Sequence, residues 1–284
     1  MPELAKRIAF AAVAIPLVGL AVWAGGLALA LLLAVAAGFA SWEFYRLAIG
    51  SGTSPLVGHG VLISALIPVA LFMRYGGYGV PPVSVLMLIV LEFLAVALWA
   101  RGPNGKPLEA VGITVLGVLY TGGMLAFAFA LRYHRFAIDA TSGTMLVALP
   151  LLLTWGTDTG AMLAGRAWGK TKLMPTISPA KTVVGAWGGA AVAVLVSVLF
   201  IRFALEPYGR LTMSLAAAAA FGFVVSASGQ LGDLVESMLK RQAGVKDSSA
   251  LIPGHGGALD RIDSLLFTLP VSFVLYELLL TPTP

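Results

Sequence analysis

The chain has 284 residues, of which 59% are hydrophobic and only 11% charged. Soluble domains carry about 25% charged residues, so this composition excludes a soluble globular body, and the absence of cysteine excludes disulfides and thiolate metal sites. The net charge of +5 suits anionic lipid or phosphate-bearing ligands and also ordinary basic flanks of membrane spans; no nucleic-acid partner is expected.

The predicted fold is all-α, a polytopic integral membrane protein of about nine transmembrane helices. Apolar windows separated by polar or Pro/Gly breaks place the spans near 7–24, 26–48, 56–74, 82–101, 109–131, 143–166, 183–204, 211–240 and 259–280. Lys6-Arg7 before a long apolar run resembles a signal peptide, but no clean cleavage site follows, so the first span reads as retained. With the N-terminus inside, Arg74, Arg132, Arg135, Arg202 and Arg210 face outward, leaving 13 of the 18 Lys and Arg on the inner side. That bias predicts an N-in, C-out orientation and puts the polar loops after spans six and eight on one side. The chain divides into N-terminal helices over 1–142, structural and lipid-facing, and a C-terminal region over 143–284 that holds the candidate catalytic residues taken up below.

The N-terminal half is chemically sparse. Trp42-Glu43-Phe44-Tyr45 reads first as an interfacial aromatic anchor, with Glu43 an interface carboxylate in preference to one that faces a cavity. Glu92, inside span four, needs a partner facing the bundle interior.

Span six contains T-W-G-T-D-T-G-A-M-L-A-G-R. Gly156, Gly160 and Ala164 recur every fourth residue and predict close helix packing. The same helix carries Asp158 inward, where an unpaired carboxylate is costly. The following loop supplies Arg166, Lys170, Lys172 and Lys181 as cations and Ser178 and Thr182 as hydroxyls. Its S-P-A-K-T segment precedes a helix start, a place suited to phosphate, although the Walker spacing is absent. In span eight, Ser226, Gln230, Asp233, Ser237 and Lys240 recur at steps of four, three, four and three, which is one face of an α-helix. Such a stripe on an apolar helix lines a wet cavity or meets other polar groups. A turn region then runs to His255-Gly256-Gly257, and span nine opens with Asp260, Arg261, Asp263 and Ser264. Asp158, Asp233 and Asp260 thus come from three helices that end or begin on one side. Carboxylates together with phosphate ligands suit Mg²⁺, and the surrounding cations suit phosphate oxygens. Metal-assisted phosphoryl or nucleotidyl chemistry at a membrane surface is the expectation from these residues.

The stretch Ser237–Asp263 resembles the signature of the phosphatidate cytidylyltransferases. The matching positions are Ser237, Lys240-Arg241, Lys246-Asp247, His255-Gly256-Gly257 and Asp260-Arg261-Ile262-Asp263. The D-T-G-A segment at Asp158, the S-P-A-K-T segment at Ser178–Thr182 and the aromatic run at Trp42 also look like this family, while Val183-Val184-Gly185 stands where the family usually has an aromatic and Glu-Gly. The resemblance implies transfer of the cytidylyl group of CTP to phosphatidic acid, giving CDP-diacylglycerol and pyrophosphate, in a bacterial inner membrane with the site on the cytoplasmic side. It implies Mg²⁺, or a paired-cation centre with a second cation such as K⁺, and a homodimer among membrane lipid. Asp233 and Asp260 are the implied metal ligands, and Lys240, Arg241, Lys246 and Arg261 the cations of the reaction. Asp158, Ser178, Lys181, Thr182, Ser237, Asp247, His255, Gly256, Gly257 and Asp263 are the implied substrate-site residues. Three rival readings stand beside it: a CTP-dependent lipid kinase, which would release CDP; an ion-coupled transporter, against which the polar residues cluster in one half with no matching half-repeat; and a non-enzymatic membrane scaffold, which leaves the spacing of the polar residues unexplained.

Overall fold

The computed structural model describes residues 3–78, 82–251 and 256–283. Among the described residues eleven α-helices dominate. The first five are α1 (Glu3–Ala24), α2 (Gly26–Gly50), α3 (Val57–Tyr75), α4 (Pro82–Ala100) and α5 (Pro107–Val118), the last running through a π turn at Leu119–Gly123 towards α6 (Phe127–Arg132). Next come α7 (Ala140–Trp168), strands β1 (Lys172–Met174) and β2 (Ser178–Thr182), and α8 (Val183–Phe200), which continues through a second π turn at Ile201–Leu205 into α9 (Glu206–Gly209). Strand β3 (Leu211–Thr212), α10 (Leu215–Gln242), α11 (Leu259–Leu279) and β4 (Thr281–Pro282) complete the order. Helix occupies most of each apolar window read from the sequence, but the window at 211–240 opens on strand β3 and its helix begins only at Leu215. Seven segments among the described residues are long and apolar enough to cross a membrane, counting Pro107–Arg132 and Val183–Gly209 as one segment each. Ala12–Ala24 and Ser84–Ala100 form shorter apolar helices. The chain is therefore a multi-pass α-helical membrane protein.

The helices group into two compact units, one of Met1–Phe129 with Leu239–Arg261, the other of Ala130–Met238 with Ile262–Pro284. The first unit is built around Tyr45 of α2, whose side chain is fully buried. Its hydroxyl donates to the Thr114 carbonyl at 2.7 Å, and Thr114 Oγ1 accepts from the Leu56 amide at 2.8 Å. Gly60 of α3 and Gly117 of α5 pack directly on the Tyr45 ring, where any Cβ would collide with it. Phe44 is buried beside it. The expected interfacial anchor is therefore corrected: Glu43, Phe44 and Tyr45 are buried in the unit, Tyr45 because Gly60 of α3 and Gly117 of α5 leave room for its ring. Glu92 finds His59, with Nδ1 and Oε1 2.5 Å apart, which gives the span-four acid the partner its apolar helix requires.

In the second unit glycines let three helix pairs approach closely. Helix α7 starts at an Asp139 cap, which accepts from the Ser142 amide at 2.7 Å, and runs against α8. A Cβ on Gly160 would stand 2.7 Å from Val192 Cγ2 and 2.9 Å from the Gly188 carbonyl oxygen. One on Gly189 would stand 2.7 Å from the Thr157 carbonyl oxygen. The small-residue stripe expected in span six is thus the α7–α8 contact. Gly222 of α10 sits 2.7 Å by the same measure from the Ala193 carbonyl oxygen of α8, and Gly232 of α10 equally close to the Asp263 carbonyl oxygen of α11. Without a hydrophobic drive between helices in lipid, this close backbone packing supplies much of the association.

Gly160→Ala should therefore destabilise the detergent-solubilised protein by about 1–3 kcal/mol, the range for overpacking a tight contact. Gly19→Ala, at a position with nothing within 4 Å, should leave the thermal midpoint unchanged. Equal midpoints for the two variants would contradict the packing account.

Candidate active site

The polar face of α10 is spent inside the second unit. Ser226 Oγ accepts from Thr157 Oγ1 of α7 at 2.9 Å, and Gln230 Nε2 donates to the Ala186 carbonyl of α8 at 3.2 Å and to Ser226 Oγ at 3.2 Å. One turn on, Asp233 Oδ2 lies 2.6 Å from Lys181 Nζ, and Asp233 Oδ1 accepts from Ser237 Oγ at 3.3 Å. Four of the five stripe residues are thus engaged as the sequence spacing anticipated.

Lys181 reaches Asp233 because the loop after α7 is not irregular. Strands β1 and β2 pair antiparallel, with Lys172 opposite Thr182 and Met174 opposite Ser178. This hairpin carries Lys181 to the start of α8. Thr182 then caps α8: its Oγ1 accepts from the Gly185 amide at 3.1 Å, a standard role for a hydroxyl at that position. The Val183 amide donates to the Thr171 carbonyl at 3.0 Å. Two first-turn amides are therefore already used, and a ligand at this helix end would meet chiefly side chains.

Those side chains surround a cavity of about 430 Å³, within the range of small-ligand sites. Asp158, Lys181, Thr182 and Asp233 line it, with Arg166 and Lys172 adding cations and Gln230 an amide. Two carboxylates and three cations on one wall set are suited to a polyphosphate whose charge is shared between cations and a metal. Of the residues predicted from sequence, Ser178 lies on β2 outside this lining. Asp263 heads into α11, its Oδ1 accepting the Ser264 amide at 2.6 Å.

The other signature residues belong to the first unit. Lys240 Nζ lies 2.7 Å from Asp260 Oδ1, with 11% and 6% of the two side chains exposed. Asp260 Oδ2 accepts from the Ser248 amide at 3.0 Å, from Ser248 Oγ at 3.0 Å and from the Gly257 amide at 2.7 Å. Arg241 Nη1 donates to the Val245 carbonyl at 3.1 Å. Lys246, Asp247 and Arg261 are exposed. Gly256 has φ +80°, a conformation that only glycine adopts without strain. Gly257 is needed for space, since a Cβ there would collide with Ser248 Oγ and with Glu43. His255 lies outside the described residues.

Sequence reasoning missed Glu43 as part of this arrangement. Its side chain is completely buried and accepts hydrogen bonds from Ser248, Ser249, Ala258 and Leu259. Its partners lie 205 to 216 positions away, and an acid beside aromatics at a span end carries no mark of such a contact.

Among the described residues no group of three or more His, Asp or Glu side chains is arranged to hold a metal ion. The donors present are nevertheless of the kind Mg²⁺ takes: carboxylate oxygens that leave most of the shell to water and substrate phosphate. Asp233 already faces a cation, the Lys181 ammonium.

A hairpin-borne lysine, an acid-bearing helix and a cation-lined cavity make a site able to hold a phosphorylated ligand in a polytopic membrane protein. The cytidylyltransferase family model matches residues 5–279, and the chain belongs to that family. The chain is similar to the phosphatidate cytidylyltransferase of Staphylococcus epidermidis, 35% identical over 75% of this chain and 78% of the relative. It is also similar to those of Staphylococcus aureus, 34% identical over 75% and 78%, and Staphylococcus haemolyticus, 32% identical over 76% and 78%.

Asp233→Asn should abolish turnover while folded protein is retained, because the amide keeps the shape but loses the charge facing Lys181. Activity with CTP, together with the yield of monodisperse protein, tests this; full activity in the purified variant would remove Asp233 from the site.

Proposed function

We propose that the protein transfers the cytidylyl group of CTP to phosphatidic acid, forming CDP-diacylglycerol and pyrophosphate. The observation that carries the reading is the cavity holding Lys181 against Asp233 at 2.6 Å, with Arg166, Lys172 and Asp158 on its walls. Family membership and the printed names of the relatives support it.

The reaction is an in-line displacement. A phosphatidate oxygen forms a bond to the α-phosphorus of CTP, and the bond from that phosphorus to the oxygen bridging to the β-phosphate breaks. The electron pair leaves with pyrophosphate. The attacking phosphate is already ionised, so no strong general base is required; catalysis rests on positioning and on neutralising charge. Lys181, Arg166 and Lys172 screen the triphosphate in the cavity. Ser237 keeps the Asp233 carboxylate in its orientation. Lys240, Arg241, Lys246 and Arg261 are proposed to serve the departing pyrophosphate or the lipid phosphate, with Asp158, Ser178, Thr182, Asp247, His255, Gly256, Gly257 and Asp263 as substrate-site residues. Asp233 and Asp260 are the carboxylates proposed to bind Mg²⁺, with K⁺ as a candidate second cation. When bound, the metal would polarise the α-phosphate and offset developing charge.

By the basic-residue bias, the N-terminus is proposed to face the cytoplasm of a bacterial plasma membrane, the chain to span it nine times, and the reaction to occur on the inner side. A homodimer is proposed from family resemblance.

Purified protein incubated with cytidine-labelled CTP, phosphatidate and Mg²⁺ should yield an organic-extractable cytidine product and one pyrophosphate per product. Release of CDP with a newly phosphorylated lipid would instead make the protein a CTP-dependent kinase. Labelled CTP recovered unchanged from a monodisperse, CTP-binding preparation would contradict both.

A further inference from the structure

Glu43 has no role in the reaction described above, yet its buried carboxylate accepts four hydrogen bonds within the first unit. Oε1 accepts from Ser249 Oγ at 2.6 Å and from the Ala258 amide at 2.9 Å. Oε2 accepts from Ser248 Oγ at 2.8 Å and from the Leu259 amide at 2.7 Å. Each oxygen therefore takes one hydroxyl and one backbone N–H. Ala258 and Leu259 form the start of α11, whose first amides have no partner within their own helix. A carboxylate from α2 thus caps α11 from a distant part of the chain, and its negative charge suits that helix end.

The same contact reaches Asp260. Ser248 Oγ stands 2.8 Å from Glu43 Oε2 and 3.0 Å from Asp260 Oδ2, and its single proton can serve only one of them at a time. The Ser248 amide also donates to Asp260. Gly257 lets the two acids approach, because a side chain there would occupy the space of Ser248 Oγ and Glu43 Oε2.

We propose that Glu43 is a positioning residue of the cytidylyl-transfer reaction: it closes the N-terminus of α11 and, through Ser248, fixes the Asp260 carboxylate. This rests on the functional reading above.

The chemistry makes a sharp distinction between isosteres. Glutamine in either amide orientation places an NH₂ group against a backbone N–H, Ala258 on one side or Leu259 on the other. A serine hydroxyl can rotate to accept, but a backbone amide cannot. Aspartate keeps two accepting oxygens on a shorter arm. Turnover should therefore fall in the order wild type, Glu43→Asp, Glu43→Gln. For Glu43→Gln the loss in kcat should be about ten- to a hundredfold, the scale of one buried hydrogen bond to a charged group. CTP should still bind with wild-type stoichiometry and a KM within about twofold, because its cavity is lined by other residues.

A readout independent of activity is hydrogen–deuterium exchange at the Ala258 and Leu259 amides. They should be protected in wild type and exchange at least about tenfold faster in Glu43→Gln. Ser249→Ala, which removes one donor, should give a smaller increase if Glu43→Gln does not fold. Unchanged exchange would overturn the contact. Faster exchange with full kcat, or a loss of CTP stoichiometry parallel to the loss of kcat, would overturn the positioning role. A folded wild-type protein that makes no lipid-linked cytidine would sink the functional reading and that role together, while the exchange result still decided whether Glu43 holds α11.

Discussion

A carboxylate inside an apolar helical bundle must be paired or hydrogen-bonded, because the surroundings offer no water to solvate it. This constraint shapes both units. Asp233 is met by Lys181, Asp260 by Lys240, Glu92 by His59, and Glu43 by four donors at a helix start. Each pairing ties one helix to a neighbouring element, so the acids are also where the helices are fastened.

Close packing supplies the complementary half. Gly160, Gly189, Gly222 and Gly232 bring backbones together in the second unit, and Gly60 and Gly117 receive Tyr45 in the first. Because α7 and α8 approach so closely, the hairpin between them is short and lies at their end, presenting Lys181 to α10. The cavity follows from this geometry: apolar helices hold its frame and a few charged side chains project into it.

Much of the second unit was legible in the sequence. Helical spacing alone put Ser226, Gln230, Asp233 and Ser237 on one face, and the every-fourth small residues of span six foretold the α7–α8 contact. Local chemistry also marked Thr182 and Lys181 as a helix entry. The β1–β2 hairpin was not legible, since Pro175 and Pro179 and a run of cations resemble an open loop. Nor were the π turns, which depend on tertiary packing rather than on composition. Glu43 was misread for a different reason. Its neighbours Trp42, Phe44 and Tyr45 suggest a membrane interface, whereas the donors that claim it come from residues more than 200 positions later, and periodicity carries no information over that distance.

The central claim is that the cavity around Lys181 and Asp233 receives CTP. The absence of native cysteine permits a direct measurement. Leu173 lines the cavity, so Leu173→Cys places the chain's sole thiol on its wall, and maleimide labelling can be timed in a variant shown to remain active. The account predicts that CTP slows labelling in proportion to its occupancy; a labelling rate unmoved by CTP at concentrations that saturate turnover would contradict it.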